Sequence, residues 1–218
     1  MNIENARFNM IEQQIRPWDV LDLDVLGLLS IVKRENYVPA QYRDLAFADL
    51  ELPLPGGASK MLFPRVEARV LQELAVKKHE NVLVIGAGSG YLAALFAHRA
   101  QHVTAVEIDP AIAKFAADNL RNDGVTNAEV VLGDGSRGWA AKAPYDVICV
   151  AGGLPVVPQE MLEQLKVGGR LSAFVGGRPV MKAQIITRID DKQYRVADVF
   201  ETYIDHLVNA IEPSRFKF

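Results

Sequence analysis

The apolar run Val82-Leu83-Val84-Ile85 passes directly into Gly86-Ala87-Gly88-Ser89-Gly90 and then into a helix-forming stretch that begins at Tyr91. An uninterrupted apolar run of this length suits a strand buried on both faces. Alternate glycines after such a strand permit a tight turn and let the backbone approach a ligand. The helix that follows presents its unpaired amides to that ligand.

The alternation continues downstream. Strands are expected over residues 81–85, 103–106, 129–132, 146–150, 170–175, 184–189 and 195–200, with helices over 90–99, 110–122 and 158–166. Asp109 reads as an N-cap with Pro110 in the first turn and Gly124 beyond the end. Gly168-Gly169 reads as the stop of the preceding helix, and Asp190-Asp191-Lys192 as a hairpin turn. Upstream, Phe8, Ile11 and Ile15 recur on one helical face. Val20, Leu21, Val25, Leu28, Leu29 and Val32 recur on another, with Pro17 between the two. Residues 39–64 are loop-like, and Pro64 opens a helix carrying Val66, Val70, Leu71 and Leu74. The expectation is an α/β fold: a doubly wound, mostly parallel sheet made mixed by a closing hairpin, with an N-terminal helical extension. Residues 1–218 are read as a single domain, in which 1–63 form an extension covering the site and 64–218 the core.

Hydrophobic residues make up 50% of the chain, enough for a sizeable core, and the formal net charge of −3 asks for no polyanionic partner. No run approaches the roughly 18 apolar residues of a membrane span, and the N-terminus lacks the layout of a signal peptide. The single cysteine, Cys149, lies inside an apolar run and reads as a packing residue. His79, His98, His102 and His206 are scattered without metal-ligand spacing. The expected setting is cytoplasmic, with no metal, nucleic acid or membrane as partner; the oligomeric state is left open.

Two cofactor classes use a glycine turn after a buried strand. The dinucleotide fingerprint G-x-G-x-x-G would need its third glycine at position 91, which is Tyr91. The spacing Gly86, Gly88, Gly90 is instead the G-x-G-x-G form of S-adenosylmethionine-dependent methyltransferases (Rossmann-like), whose ligand carries no pyrophosphate. Glu107 ends the second strand about 20 residues on, where a carboxylate can accept from both ribose hydroxyls; the alternative is a solvated strand-end glutamate. Gly133-Asp134-Gly135 ends the third strand, where Asp134 can accept from the adenine amino group; the alternative is a plain turn. The candidate cofactor-binding residues are Gly86, Ala87, Gly88, Gly90, Tyr91, Glu107, Ile108, Asp134 and Gly135.

At Gly133-Asp134-Gly135-Ser136-Arg137-Gly138-Trp139 the sequence begins to resemble a known family. Pro144-Tyr145-Asp146-Val147-Ile148, Leu154-Pro155-Val156-Val157-Pro158-Gln159 and Gln164-Leu165-Lys166-Val167-Gly168-Gly169-Arg170-Leu171 extend the likeness. So do Met10-Ile11-Glu12-Gln13-Gln14-Ile15 and Tyr37-Val38-Pro39 with Tyr42 and Asp44. Together, from about residue 10 to 180, these are similar to protein-L-isoaspartate O-methyltransferases. The resemblance implies methyl transfer from S-adenosyl-L-methionine to the free carboxylate of an isoaspartyl residue in a damaged protein or peptide. It assigns the cofactor roles to Gly86, Gly88, Gly90, Glu107, Asp134 and Gly135. The sequence departs from the family at two places. The family's serine, two residues before a proline, is Leu62 when Pro64 is the anchor; Ser59, three residues out of register, is the nearby hydroxyl and so the catalytic candidate. The family's acid two residues before the first glycine is Val84. Two other readings stay open: a methyltransferase of this fold with a small-molecule acceptor, Met61 and Leu62 lining a more apolar pocket, or a non-catalytic cofactor-binding protein. Tyr91 disfavours a nicotinamide dehydrogenase.

Overall fold

The computed structural model describes residues 2–212. It opens with α1 (Ile3–Asn9), which widens into a π-helical stretch over Met10–Ile15 and tightens into a 3-10 turn over Arg16–Trp18. The Arg16 amide reaches back to the Ile11 carbonyl, the longer span of a π turn. That wider turn shifts the buried face. Met10, Ile11 and Ile15 are inside, as the periodicity predicts, but Phe8 is 63% exposed and Arg7 takes the inner position, paired with Glu35. The second helix, α2 (Leu23–Ile31), starts at Asp22, whose carboxylate caps the Asp24 and Val25 amides. Leu21, read as part of its buried face, lies outside the helix and is exposed.

Residues 39–64 contain more order than a loop. They hold a 3-10 turn at Ala40–Leu45 and a small antiparallel hairpin, β1 (Leu52–Pro53) on β2 (Lys60–Met61). Two-residue strands leave no periodicity to read. Then follow α3 (Pro64–Leu74), β3 (Asn81–Ile85), α4 (Tyr91–Ala97), β4 (His102–Glu107), α5 (Pro110–Asn122), β5 (Ala128–Leu132), β6 (Tyr145–Leu154), α6 (Gln159–Glu163), β7 (Leu165–Gly177), β8 (Val180–Arg188) and β9 (Tyr194–Thr202).

The seven large strands form one sheet in the order β5-β4-β3-β6-β7-β8-β9. The pairs from β5 to β7 are parallel; β7–β8 and β8–β9 are antiparallel. Alternate residues of β3 feed two cores. Val82 and Val84 pack with α3, α4 and α5 on one face, and Leu83 and Ile85 pack with Met161 of α6 on the other. Both faces are therefore covered, the doubly wound arrangement expected. The N-terminal residues join the first core, and Trp18 meets Phe200 of β9 edge-on at 5.6 Å.

Gly168-Gly169 do not stop a helix. The helix of residues 158–166 is cut to Gln159–Glu163, and the two glycines lie inside β7. There the register with β6 shifts between Tyr145/Leu165 and Val147/Arg170, so the extra residues bulge out of the ladder. β6 also outruns its expected end at 150, crossing Gly152 and Gly153.

Candidate functional site

Strand order reverses between β3 and β6, and ligands of open α/β sheets sit outside the carboxyl ends of the strands at such a point. A cleft of about 240 Å³ lies there, walled by the glycine turn, the ends of β4 and β5, the β1–β2 hairpin and residues 204–208.

The glycine turn is built as its sequence requires. Gly86, Gly88 and Gly90 have φ of 84°, 55° and 85°, the left-handed region in which a side chain is strained. The Gly86 and Ala87 amides donate to the Val106 carbonyl at 2.9 and 3.1 Å. Gly86 and Gly88 line the cleft. Gly90 does not: it is the N-cap of α4, and an added Cβ would lie 3.0 Å from the Ala116 carbonyl, so it serves helix packing. Ala87 is 3% exposed and also stays out of the lining. Tyr91 leaves the site altogether. As the first residue of α4 it turns toward the N-terminal extension, its ring 5.4 Å from that of Tyr37 and 5.8 Å from the Arg34 guanidinium.

Glu107 is not a solvated charge. It is 7% exposed; Oε2 accepts from the Gly88 amide at 3.0 Å, and Oε1 accepts from the Ile108 and Asp109 amides at 3.0 and 3.2 Å. A carboxylate has about four acceptor positions, of which these amides use three. Ile108 and Gly135 also line the cleft, and a Cβ on Gly135 would sit 2.8 Å from Ile85 Cγ2. Asp134 accepts from the Ser136 amide at 2.8 Å and from the Asn209 side-chain amide at 2.9 Å. The Ser136 amide holds its carboxyl below the usual range, with Asn209 adding to the effect.

The opposite wall is where Ser59, Lys60 and Leu62 face the cleft with Glu51. Ser59 is exposed, and its carbonyl accepts from the Leu54 amide at 2.8 Å. Leu62 is 6% exposed, and Arg34 fixes its backbone by donating from Nη2 to the Leu62 carbonyl at 2.9 Å. Arg34 is itself buried, bonded to Glu67 and to the Ala46 carbonyl. The N-terminal extension thus sets the position of this wall. Lys60 Nζ lies 3.2 Å from Asp205 and 3.7 Å from Glu51, whose carboxyl burial pushes up against the pull of Lys60. Val84 is fully buried in the first core and does not reach the cleft.

Residues 204–208 are the part of the wall that sequence reasoning missed. The Gly153 amide donates to the Asp205 carbonyl and the Leu207 amide to the Gly153 carbonyl, each at 2.9 Å. Leu207 lies so close to Gly152 that a Cβ there would sit 2.5 Å from Leu207 Cδ2. The available signal was the Gly152-Gly153 pair, which marks a close backbone approach at the end of a strand.

Burial pushes the Cys149 thiol up to about 12, which fits a packing residue. Among the described residues, no cluster of His, Cys, Asp or Glu could hold a metal ion, and no helix is long and apolar enough to cross a membrane.

A family model described as protein-L-isoaspartate(D-aspartate) O-methyltransferase matches residues 5–208. A protein of Methanoculleus marisnigri named protein-L-isoaspartate O-methyltransferase is 39% identical over 193 residues, covering 88% of this chain and 86% of that one. One of the same name from Rhodopseudomonas palustris is 40% identical over 187 residues, covering 85% of each. A solved structure described as a protein-L-isoaspartate O-methyltransferase superposes with a TM-score of 0.79 at 25% identity, over 93% of this chain and 66% of its own. A putative one from Plasmodium falciparum, in complex with S-adenosyl-L-homocysteine, gives a TM-score of 0.79 at 16% identity over 95% and 99%, a likeness of fold.

Proposed function

Because the chain belongs to the protein-L-isoaspartate(D-aspartate) O-methyltransferase family, we propose that it transfers a methyl group from S-adenosyl-L-methionine to the free carboxylate of isoaspartyl residues in damaged proteins. The observation that carries this reading is one cleft in which the Gly86–Gly88 turn, Glu107 and Asp134 converge at the sheet's switch point. The relatives' names favour this acceptor over a small molecule.

The residues present fit the cofactor. At Gly88 an added Cβ would meet only Leu54 Cδ1, at 3.6 Å, which leaves the turn open for a ligand to lie against the backbone. Gly86 and Gly88 would take the amino-acid tail, Glu107 a ribose hydroxyl and Asp134 the adenine amino group, in the place where Asn209 now donates. Ile108 and Gly135 would flank the ring. When bound, the cofactor supplies an electrophilic methyl group on a sulfonium. An isoaspartyl carboxylate has a pKa near ~4 and arrives ionised, so the chain needs no general base. Transfer would place the methyl group on a carboxylate oxygen and leave S-adenosylhomocysteine, so this chain's residues would align the two partners and would move no proton. The walls formed by Ser59, Lys60, Leu62 and residues 204–208 hold the acceptor in line and exclude water, a contribution of several kcal/mol. Ser59 offers a hydroxyl at the exposed mouth.

We read residues 1–218 as one unit acting in the cytoplasm on protein or peptide substrates, without nucleic acid. The shared core of N-terminal and sheet residues and the one buried thiol support this reading. The test is a methyl-transfer assay with an isoaspartyl peptide beside its normal aspartyl twin. Methylation of the first alone is the expected result; transfer to neither, with S-adenosylhomocysteine still bound, would overturn the acceptor assignment.

A further inference from the structure

The acceptor wall poses an electrostatic problem. Four carboxylates line the cleft, those of Glu51, Glu107, Asp134 and Asp205, and the proposed acceptor is a fifth. On the cofactor side, Glu107 and Asp134 are bonded to backbone amides. On the acceptor side Leu62 offers an incoming anion no donor and Ser59 a neutral hydroxyl at the exposed mouth, and stripping water from a carboxylate without replacing its hydrogen bonds is unfavourable. Among the described lining residues, Lys60 is the one ammonium or guanidinium; His206 is bonded through Nε2 to the Gly176 carbonyl.

We propose that Lys60 is the acceptor-binding residue of this cleft, its ammonium taking the substrate carboxylate in place of the hydroxyl that Leu62 cannot supply. The proposal rests on the methyl-transfer reading above. An ammonium has three donors in a freely rotating head. Here one is engaged with Asp205 at 3.2 Å, while Glu51 at 3.7 Å is an ion contact beyond hydrogen-bond length. The Lys60 side chain is 41% exposed and Asp205 60% exposed, so their pair is screened and easily exchanged for a better one. An acceptor that enters and excludes water offers that better pair, because a charge-assisted bond strengthens as the local dielectric falls. The backbone supports this use. Lys60 lies on β2, paired through Pro53 on β1, and Arg34 holds the Leu62 carbonyl two residues on, so the lysine stem starts from a fixed point. Asp205 lies on the segment that pairs with Gly153, and it parks the ammonium at the cleft mouth when no acceptor is there.

The experiment measures both binding and turnover. A fluorescent isoaspartyl peptide is titrated into protein saturated with S-adenosylhomocysteine, and KM and kcat are measured separately with S-adenosylmethionine. Lys60→Met is expected to weaken peptide binding and raise KM roughly ten- to a hundredfold, the range for one hydrogen bond to a charged group. Calorimetric affinity for S-adenosylhomocysteine should be unchanged. Lys60→Arg should keep most of the peptide affinity, and Asp205→Asn, which releases the ammonium, should tighten it. Peptide binding by Lys60→Met equal to wild type would overturn the role of Lys60 and leave the methyl-transfer reading standing. So would an equal loss of peptide and S-adenosylhomocysteine affinity, since that marks a structural role. A wild-type protein that neither binds nor methylates the isoaspartyl peptide would overturn both.

Discussion

Glu107 Oε2 accepts a hydrogen bond from the Gly88 amide at 3.0 Å, so the strand-end carboxylate holds the glycine turn shut as well as facing the cleft. Two functions share one side chain. The bonds to the Gly88, Ile108 and Asp109 amides fix the wall's shape, and the same side chain lines the cleft proposed for the cofactor.

Glu107→Ala should therefore act twice. It should weaken S-adenosylhomocysteine binding by about 1–3 kcal/mol and also lower the melting temperature of the free protein, because three backbone amides in part-buried bonds lose their acceptor. Calorimetry and a ligand-free thermal scan separate the two effects. A variant with wild-type affinity would remove Glu107 from the cofactor site, and one with unchanged ligand-free melting would show that the clamp carries no stability.

Tyr91→Phe tests the displacement of Tyr91 from the site. The Tyr91 hydroxyl is buried without a hydrogen-bond partner, a group that costs free energy to keep. Its removal should leave cofactor affinity unchanged and raise stability by up to about 1 kcal/mol, or a few degrees in melting temperature for a chain of this size. Weakened cofactor binding would return Tyr91 to the cleft.

Much of this molecule was legible because its central strands obey a strong rule. Residues 81–85 were readable to the residue, since a strand buried on both faces admits little but apolar side chains. The glycine turn was readable for the same kind of reason, backbone geometry that excludes side chains. What the turn's residues do was less legible. Gly86 and Gly88 line the cleft while Gly90 faces Ala116, and the spacing of the three is uniform. Phe8 was misplaced because a π turn breaks the 3.6-residue period on which the reading relied. The 204–208 wall was missed because it has no periodicity of its own; two backbone bonds to Gly153 and the space over Gly152 hold it.

A pH dependence follows from the edge of the sheet. Glu129 on β5 is held down to about 2, chiefly by the hydrogen bond from Lys142, with His102 and Thr104 also bonded to it. A carboxyl with a depressed folded-state value adds stability above its unfolded value, near ~4.3, and loses that contribution as pH falls through about 2. Glu129 is 38% exposed, so solvent screening limits the effect to about 1 kcal/mol or less. Glu129→Gln should melt a few degrees lower than wild type at pH 7, and the gap should close as the pH approaches 2. A gap that persists at pH 2 would assign the loss to packing and remove the charge from the account.

The last prediction couples the two acceptor-wall positions. Leu62→Ser places a hydroxyl at the position that the resemblance, anchored on Pro64, assigns to a serine, at the cost of a side chain that is 6% exposed; truncating a buried leucine loses about 2–5 kcal/mol of stability. The Leu62 carbonyl bond to Arg34 involves the backbone and survives the change, so the new hydroxyl starts from the same anchored position. If Lys60 already holds the acceptor carboxylate, a second donor adds little, and Leu62→Ser alone should change kcat/KM for an isoaspartyl peptide by less than a few-fold. In a Lys60→Met background the new hydroxyl supplies the donor lost with the ammonium, beside Ser59 at the mouth, and Leu62→Ser should restore roughly ten- to a hundredfold, the range for one charge-assisted bond. The double-mutant cycle then shows strong coupling between positions 60 and 62, as expected of two groups serving one ligand. Additive effects, with Leu62→Ser raising the rate equally in both backgrounds, would mean that the two side chains meet different parts of the substrate, and the hydroxyl at position 62 would be a missing positioning group in its own right.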